Sequence, residues 1–161
     1  MRNLPRWFSF SLGVSLLLAS LTLNGLAKDS SCSDVGGAIL TNLGGFGQID
    51  GSPTTLGVAT GDLKGALGVQ ILSSNSDFSS ITVQHHWVTE NGETLTIDPA
   101  TLHGTYVAPG LLAVIDYKVH LSGGTGRFTN AHGDMTAIGE LDLNTGHAVL
   151  RYSGRVCFDR K

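Results

Sequence analysis

Gly123-Gly124-Thr125-Gly126-Arg127-Phe128-Thr129-Asn130-Ala131-His132-Gly133 is the stretch whose reading decides the fold. An alternating apolar–polar segment, Leu111 to Leu121, leads into it. A second, Asp134 to Leu143, leads out, and after Asn144-Thr145-Gly146 a third runs from Ala148 to Phe158. The stretch therefore reads as a corner between two long strands. Gly123, Gly124, Gly126 and Gly133 supply the backbone freedom of a tight reversal. Phe128 is the apolar plug that pins the corner onto a core, with Arg127 on the surface of the turn. In Leu111–Leu121 the odd positions Leu111, Ala113, Ile115, Tyr117, Val119 and Leu121 are assigned to the buried face. Asp116, Lys118 and His120 take the other, and a one-residue slip would bury three polar groups, so the register is expected to be well specified.

Upstream the same period of two recurs. Leu63, Leu67, Val69 and Ile71 share one face, as do Ile81, Val83, His85 and Trp87, with Gln84, His86 and Glu90 opposite. Asn91-Gly92 is the strongest hairpin signal, returning through Glu93–Asp98 until Pro99. Pro109-Gly110 joins Thr101–Ala108 to Leu111–Leu121. Val35–Gly47 reads as an irregular edge strand, and Lys28–Ser33 as a polar, mobile leader. The tally is eight or nine strands and no amphipathic helix of three turns. One-sided alternation in so many antiparallel strands is solved economically by a closed barrel, which removes exposed edges. A two-sheet sandwich is the alternative.

The chain opens with Met1-Arg2-Asn3-Leu4-Pro5-Arg6, an apolar run from Trp7 to about Leu23, and small residues at Gly25 and Ala27. This pattern predicts a signal peptide over residues 1–27, cleaved after Ala27; an uncleaved anchor is the rival. Residues 28–161 then form a single β-barrel domain, secreted or periplasmic, with no membrane span after cleavage. Arg2 and Arg6 leave with the leader, so 10 basic residues fall to 8 against 13 acidic ones, net −5. That balance gives nucleic acid no purchase. Cys32 and Cys157, at the two ends of the domain, pair most simply as a disulfide in an oxidising compartment; a free reactive thiol pair is the alternative.

The run Leu121 to Asp134 resembles the glycine–phenylalanine corner of dirigent proteins and allene oxide cyclases, a pattern also seen in small exported bacterial proteins of the same barrel type. Thr60-Gly61-Asp62-Leu63-Lys64-Gly65 is faintly similar to a strand-joining stretch of that group. The resemblance implies an eight-stranded antiparallel barrel with a central cavity, assembled into homodimers or homotrimers. The cavity acids and arginines of the plant members have no residue-by-residue match here.

If the barrel holds, His85, Trp87, Tyr106, Tyr117, Met135 and Tyr152 point inward and make a mostly apolar lumen with a few polar tips, the usual composition of a small-molecule site. The glycine run lacks the ending of a phosphate loop, and no Gly-x-Ser-x-Gly elbow is present. The six histidines show no ligand spacing along one face, so no metal is expected, nor any cofactor. The leading expectation is non-catalytic binding of a small hydrophobic molecule, or a structural role in the cell envelope. The alternative is a cofactor-free cyclase or isomerase in which the lumen orients a hydrophobic intermediate, with His85 available for proton transfer.

Overall fold

The computed structural model describes residues 30–43, 48–49 and 51–159. The expected signal peptide 1–27 and its cleavage site lie outside them, as do residues 28–29, Gly44–Gly47 and Asp50. The strands are β1 (Ser30–Asn42), β2 (Gln48–Ile49), β3 (Ser52–Ala59), β4 (Gly65–Ser74), β5 (Ser80–Thr89), β6 (Thr94–Ile97), β7 (Ala100–Ala108), β8 (Leu111–Gly124), β9 (Ala131–Asp142) and β10 (His147–Asp159). Short 3-10 turns stand at Gly61–Leu63 and Gly126–Phe128. Strands pair antiparallel with their neighbours, and β1 pairs with both β3 and β10. The sheet thus closes on itself as an eight-stave barrel in which β6 and β7 share one stave. A barrel, not the sandwich alternative, is the architecture.

The closing seam is β1 against β10, in register from Ser30 opposite Asp159 to Asn42 opposite His147. Cys32 lies directly across from Cys157 on the outer face of this seam, and the two are disulfide-bonded. This corrects the reading of the N-terminal part. Ser30–Ser33 is not a free leader, and the first strand is not a simple edge: β1 is paired to β10 from Ser30 onward and gains β3 on its other side from Ile39 to Asn42.

The split stave breaks at Asp98-Pro99, where proline cannot donate to a ladder. The Gln84 side-chain amide bridges the gap by donating to the Ile97 carbonyl at 2.7 Å, and the Asp98 N–H reaches the His120 carbonyl at 2.9 Å. The Asn91-Gly92 hairpin forms with a three-residue loop. Thr89 N–H donates to the Glu93 carbonyl and Gly92 N–H to the Thr89 carbonyl, each at a length between 2.8 and 2.9 Å, and only Gly92 (φ +82°) is left-handed.

The phase expected for the first half of β8 is wrong. A bulge between Val114 and Tyr117 sets Ile115 and Asp116 against the single residue Ile138. Leu112 and Val114 therefore point inward, fully buried, while Ile115 is 76% exposed; Tyr117 and Leu121 keep the inward phase assigned to them. The run Leu111–Ile115 is apolar at both parities, so alternation leaves its phase open. Neighbouring backbone decides it: Val114 sits between Gly104 and Gly139, and a Cβ on Gly104 would run into Leu112. Bulges of this kind bend a strand and re-aim its side chains.

The corner that opened the sequence reading joins β8 to β9. Phe128, 1% exposed, packs its ring 5.8 Å from that of Phe158. Gly126 turns the chain at φ +59°, a conformation costly for any residue with a Cβ. The Glu93 carboxylate, from the neighbouring hairpin, accepts the Arg127 N–H at 2.8 Å and pairs with Arg127 Nε at 3.0 Å. Arg127 is thus held as a structural cation over the Phe128 ring, with its anion already supplied by the chain.

Candidate functional site

One end of the barrel has a floor. Thr60-Gly61-Asp62-Leu63 folds in beneath the staves, with Gly61 at φ +82° and the Asp62 carboxylate accepting the Gly36 N–H at 2.8 Å. Trp87 Nε1 donates to the Leu63 carbonyl at 2.9 Å. The Tyr152 hydroxyl donates to the Thr60 carbonyl at 2.8 Å and accepts the Leu63 N–H at 3.0 Å. The two rings meet edge to face, centroids 5.7 Å apart, a favourable aromatic geometry. Their polar atoms are spent on the floor, and only their apolar bodies remain for the lumen.

Above the floor lies a cavity in which the volume open to the centre of a water-sized sphere is about 100 Å³. On that measure one water takes roughly 10–15 Å³, so there is space for a small organic molecule. Its wall is almost wholly aliphatic and aromatic, running from Trp87 and Tyr152 past Val119 and Met135 to Leu43 and Ile71. Leu102, Leu112 and Val114 are buried beside it and fill the remaining interior.

Five of the six residues expected to line the lumen do so: His85, Trp87, Tyr117, Met135 and Tyr152. Tyr106 does not. It is 42% exposed near the far end of β7, beside a register shift, and its hydroxyl donates to the Asp77 carbonyl at 2.5 Å. Its backbone parity is inward, but the strand has already reached the barrel rim there. Thr41 and Thr55 also line the cavity and were missed. The alternation Ile39, Thr41, Leu43 was a usable signal for the first of them.

The polar centre of the lumen is a pair. His85 comes from β5 and Tyr117 from β8, and Tyr117 Oη stands 3.0 Å from His85 Nε2. Burial, reinforced by the neighbouring His86, lowers the His85 pKa from 6.5 to about 4. Burial likewise pushes the Tyr117 phenol well above its usual value. At neutral pH both groups are uncharged. His85 Nδ1 is buried with no hydrogen-bond partner, alone in this among the described side-chain polar atoms.

The other histidines are dispersed. His120 Nδ1 meets Asp134 Oδ1 at 2.8 Å on the outer surface, while nearby Ser122 donates instead to Asp98 at 2.7 Å, so no nucleophile is aligned with that imidazole. Among the described residues no three potential metal ligands converge, and no helix is long and apolar enough to cross a membrane.

Scanned against protein-family models and against curated proteins, the chain matches none. Among solved structures it is similar to one described as "Structure of the pterocarpan synthase dirigent protein GePTS1", with a TM-score of 0.55 and 13% sequence identity. The match covers 83% of this chain and 93% of that one. At that identity the likeness is one of fold: this chain has the dirigent-type barrel.

Proposed function

We propose that this chain is an exported binding protein that takes one small apolar molecule into its barrel. The observation that carries this is the cavity: floored at one end, apolar around most of its wall, and with the neutral His85–Tyr117 pair as its polar centre. Apolar burial supplies the affinity and the pair supplies orientation. Export is supported by the leader-like residues 1–27 and by a disulfide of the kind that persists in oxidising compartments. Proton-transfer catalysis is less well served. An efficient acid–base group has a pKa near the working pH, whereas burial pushes His85 and Tyr117 away from neutrality in opposite directions. The solved relative's description as a synthase keeps a second reading in play, a cyclase or isomerase working through orientation alone.

Naphthalene, which has no hydrogen-bonding atom, tests the cavity by itself. Methyl resonances of Met135, Val119 and Leu150 should shift and saturate on titration, and Met135→Trp, which fills the lumen, should abolish the response. No saturable shift in the unaltered protein would overturn the binding reading.

We also propose that a second copy of the chain covers part of the outer wall. Val149, Leu40, Val58, Ala66 and Val88 are direct cross-strand neighbours on β10, β1, β3, β4 and β5, all facing outward and exposed. Leu56 and Ile138 extend this apolar band. Contiguous bands of this sort mark association surfaces. At its border Glu140 lies opposite Val149, and Arg151 opposite Ile138. Neither charge has a partner among the described residues, so two copies related by a twofold could pair them reciprocally.

A further inference from the structure

We infer that the molecule held in the barrel carries a hydrogen-bond acceptor, a carbonyl or ether oxygen, that is received by His85 Nδ1–H. This rests on the binding reading above and names the chemistry of its ligand.

The tautomer is the key step. Tyr117 keeps its proton, and among the described residues its side-chain hydrogen-bond partner is His85 Nε2, 3.0 Å away. A phenol is a far better donor than acceptor, so the hydroxyl donates and Nε2 accepts. A neutral imidazole has one N–H. With Nε2 accepting, that proton sits on Nδ1, which is buried and unpartnered. A buried donor left without an acceptor costs about 1–3 kcal/mol, and a ligand oxygen would recover it. A ligand offering a donor at that point would meet another N–H and be disfavoured. At the floor, Trp87 and Tyr152 already hold backbone partners, and the Thr41 and Thr55 hydroxyls of the wall both donate and accept, so they do not select for an acceptor as a lone N–H does. Among the described residues no carboxylate or cationic side chain lines the cavity, so a charged ligand group would meet no counter-ion there and would bear its full desolvation. Ligand class therefore narrows to a neutral apolar skeleton bearing a ketone, aldehyde, ester or ether oxygen. Besides lining the cavity, Tyr117 acts as a positioning residue, since its hydroxyl fixes the imidazole proton.

The test uses tetralin and 1-tetralone, which share a bicyclic skeleton and differ by one carbonyl oxygen. In imidazole-¹⁵N-labelled protein, His85 should show a protonated Nδ1 and an unprotonated Nε2, and 1-tetralone should shift the Nδ1 signal while tetralin leaves it nearly unmoved. The ratio of ketone to hydrocarbon affinity, which cancels their unequal hydration when two proteins are compared, should fall roughly 3- to 10-fold in His85→Phe, the net worth of one hydrogen bond. An Nε2-protonated ring in the unaltered protein would overturn the inference without any variant. So would an unchanged affinity ratio in a folded His85→Phe protein. If neither compound binds, and naphthalene also fails, the cavity reading itself falls.

Discussion

Lowering the pH from neutral toward 4 should protonate His85 in the unfolded chain but not in the barrel. Burial sets the folded value at about 4, against 6.5 for the free imidazole. For a group depressed on folding, the native state stays neutral while the unfolded state binds a proton. Stability is then intact above about 6.5 and is lost as the pH falls toward 4. The gap corresponds to about 3 kcal/mol for this residue. The Tyr117 phenol faces it at Nε2, and His86, next along the strand, acts on it electrostatically; among the described residues no carboxylate lines the cavity to hold a charged His85 in place. Asp77 and Asp142 act in a different window. Hydrogen bonds, from Ser79 to the first and from Thr145 and Asn144 to the second, lower both carboxyls, so their contribution is lost only below about 3.8. Urea unfolding at about pH 7, 5.5 and 4.5, run on the unaltered protein and on His85→Phe, isolates the effect as a difference of slopes. The unaltered protein should lose roughly 2–3 kcal/mol more than the variant across that range. Parallel pH profiles would refute a buried neutral imidazole.

Three further outcomes are expected. Replacing Cys32 and Cys157 by Ser opens a closure spanning 125 positions, worth about 5 kcal/mol in the chain-entropy picture, and should move the urea midpoint accordingly; a change below about 1 kcal/mol would show that the β1–β10 ladder suffices alone. Phe128→Ala removes the plug of the corner and should cost about 3–5 kcal/mol by the same assay, with a value near zero contradicting its core role. Leu40→Glu places a charge in the middle of the outer apolar band, so sedimentation velocity should show an oligomer dissociating to monomer. A monomer in both proteins at high concentration would remove the self-association proposal.

The parts of the fold legible in the sequence are those where apolar residues occupy one parity only. β5 is the clearest case: Ile81, Val83, His85 and Trp87 alternate with Thr82, Gln84 and His86, and all four lie inside. That strand alone placed two members of the candidate site. β8 shows the limit. Leu112, Val114 and Ile115 are apolar at both parities, and the choice between them rests on glycines of β7 and β9 that are remote in sequence. Tyr106 fails for a related reason, because parity tells inside from outside but not height along the barrel axis. β1 was undervalued because its glycines, Gly36 and Gly37, look like breakers. Gly37 is instead the gap into which the Thr60 carbonyl of the floor fits. The orphaned Nδ1 of His85 could not be read at all, since it depends on Tyr117 arriving from a strand 32 residues away.

Native mass spectrometry of the protein purified from its own host addresses the binding proposal most directly. The expected result is a chain beginning after Ala27, lighter by the two hydrogens of the disulfide, carrying a neutral small molecule that leaves on gentle activation and contains a carbonyl or ether oxygen. A protein that emerges without any such adduct, and whose naphthalene and 1-tetralone titrations are also flat, would contradict the claim that this barrel exists to hold an apolar ligand.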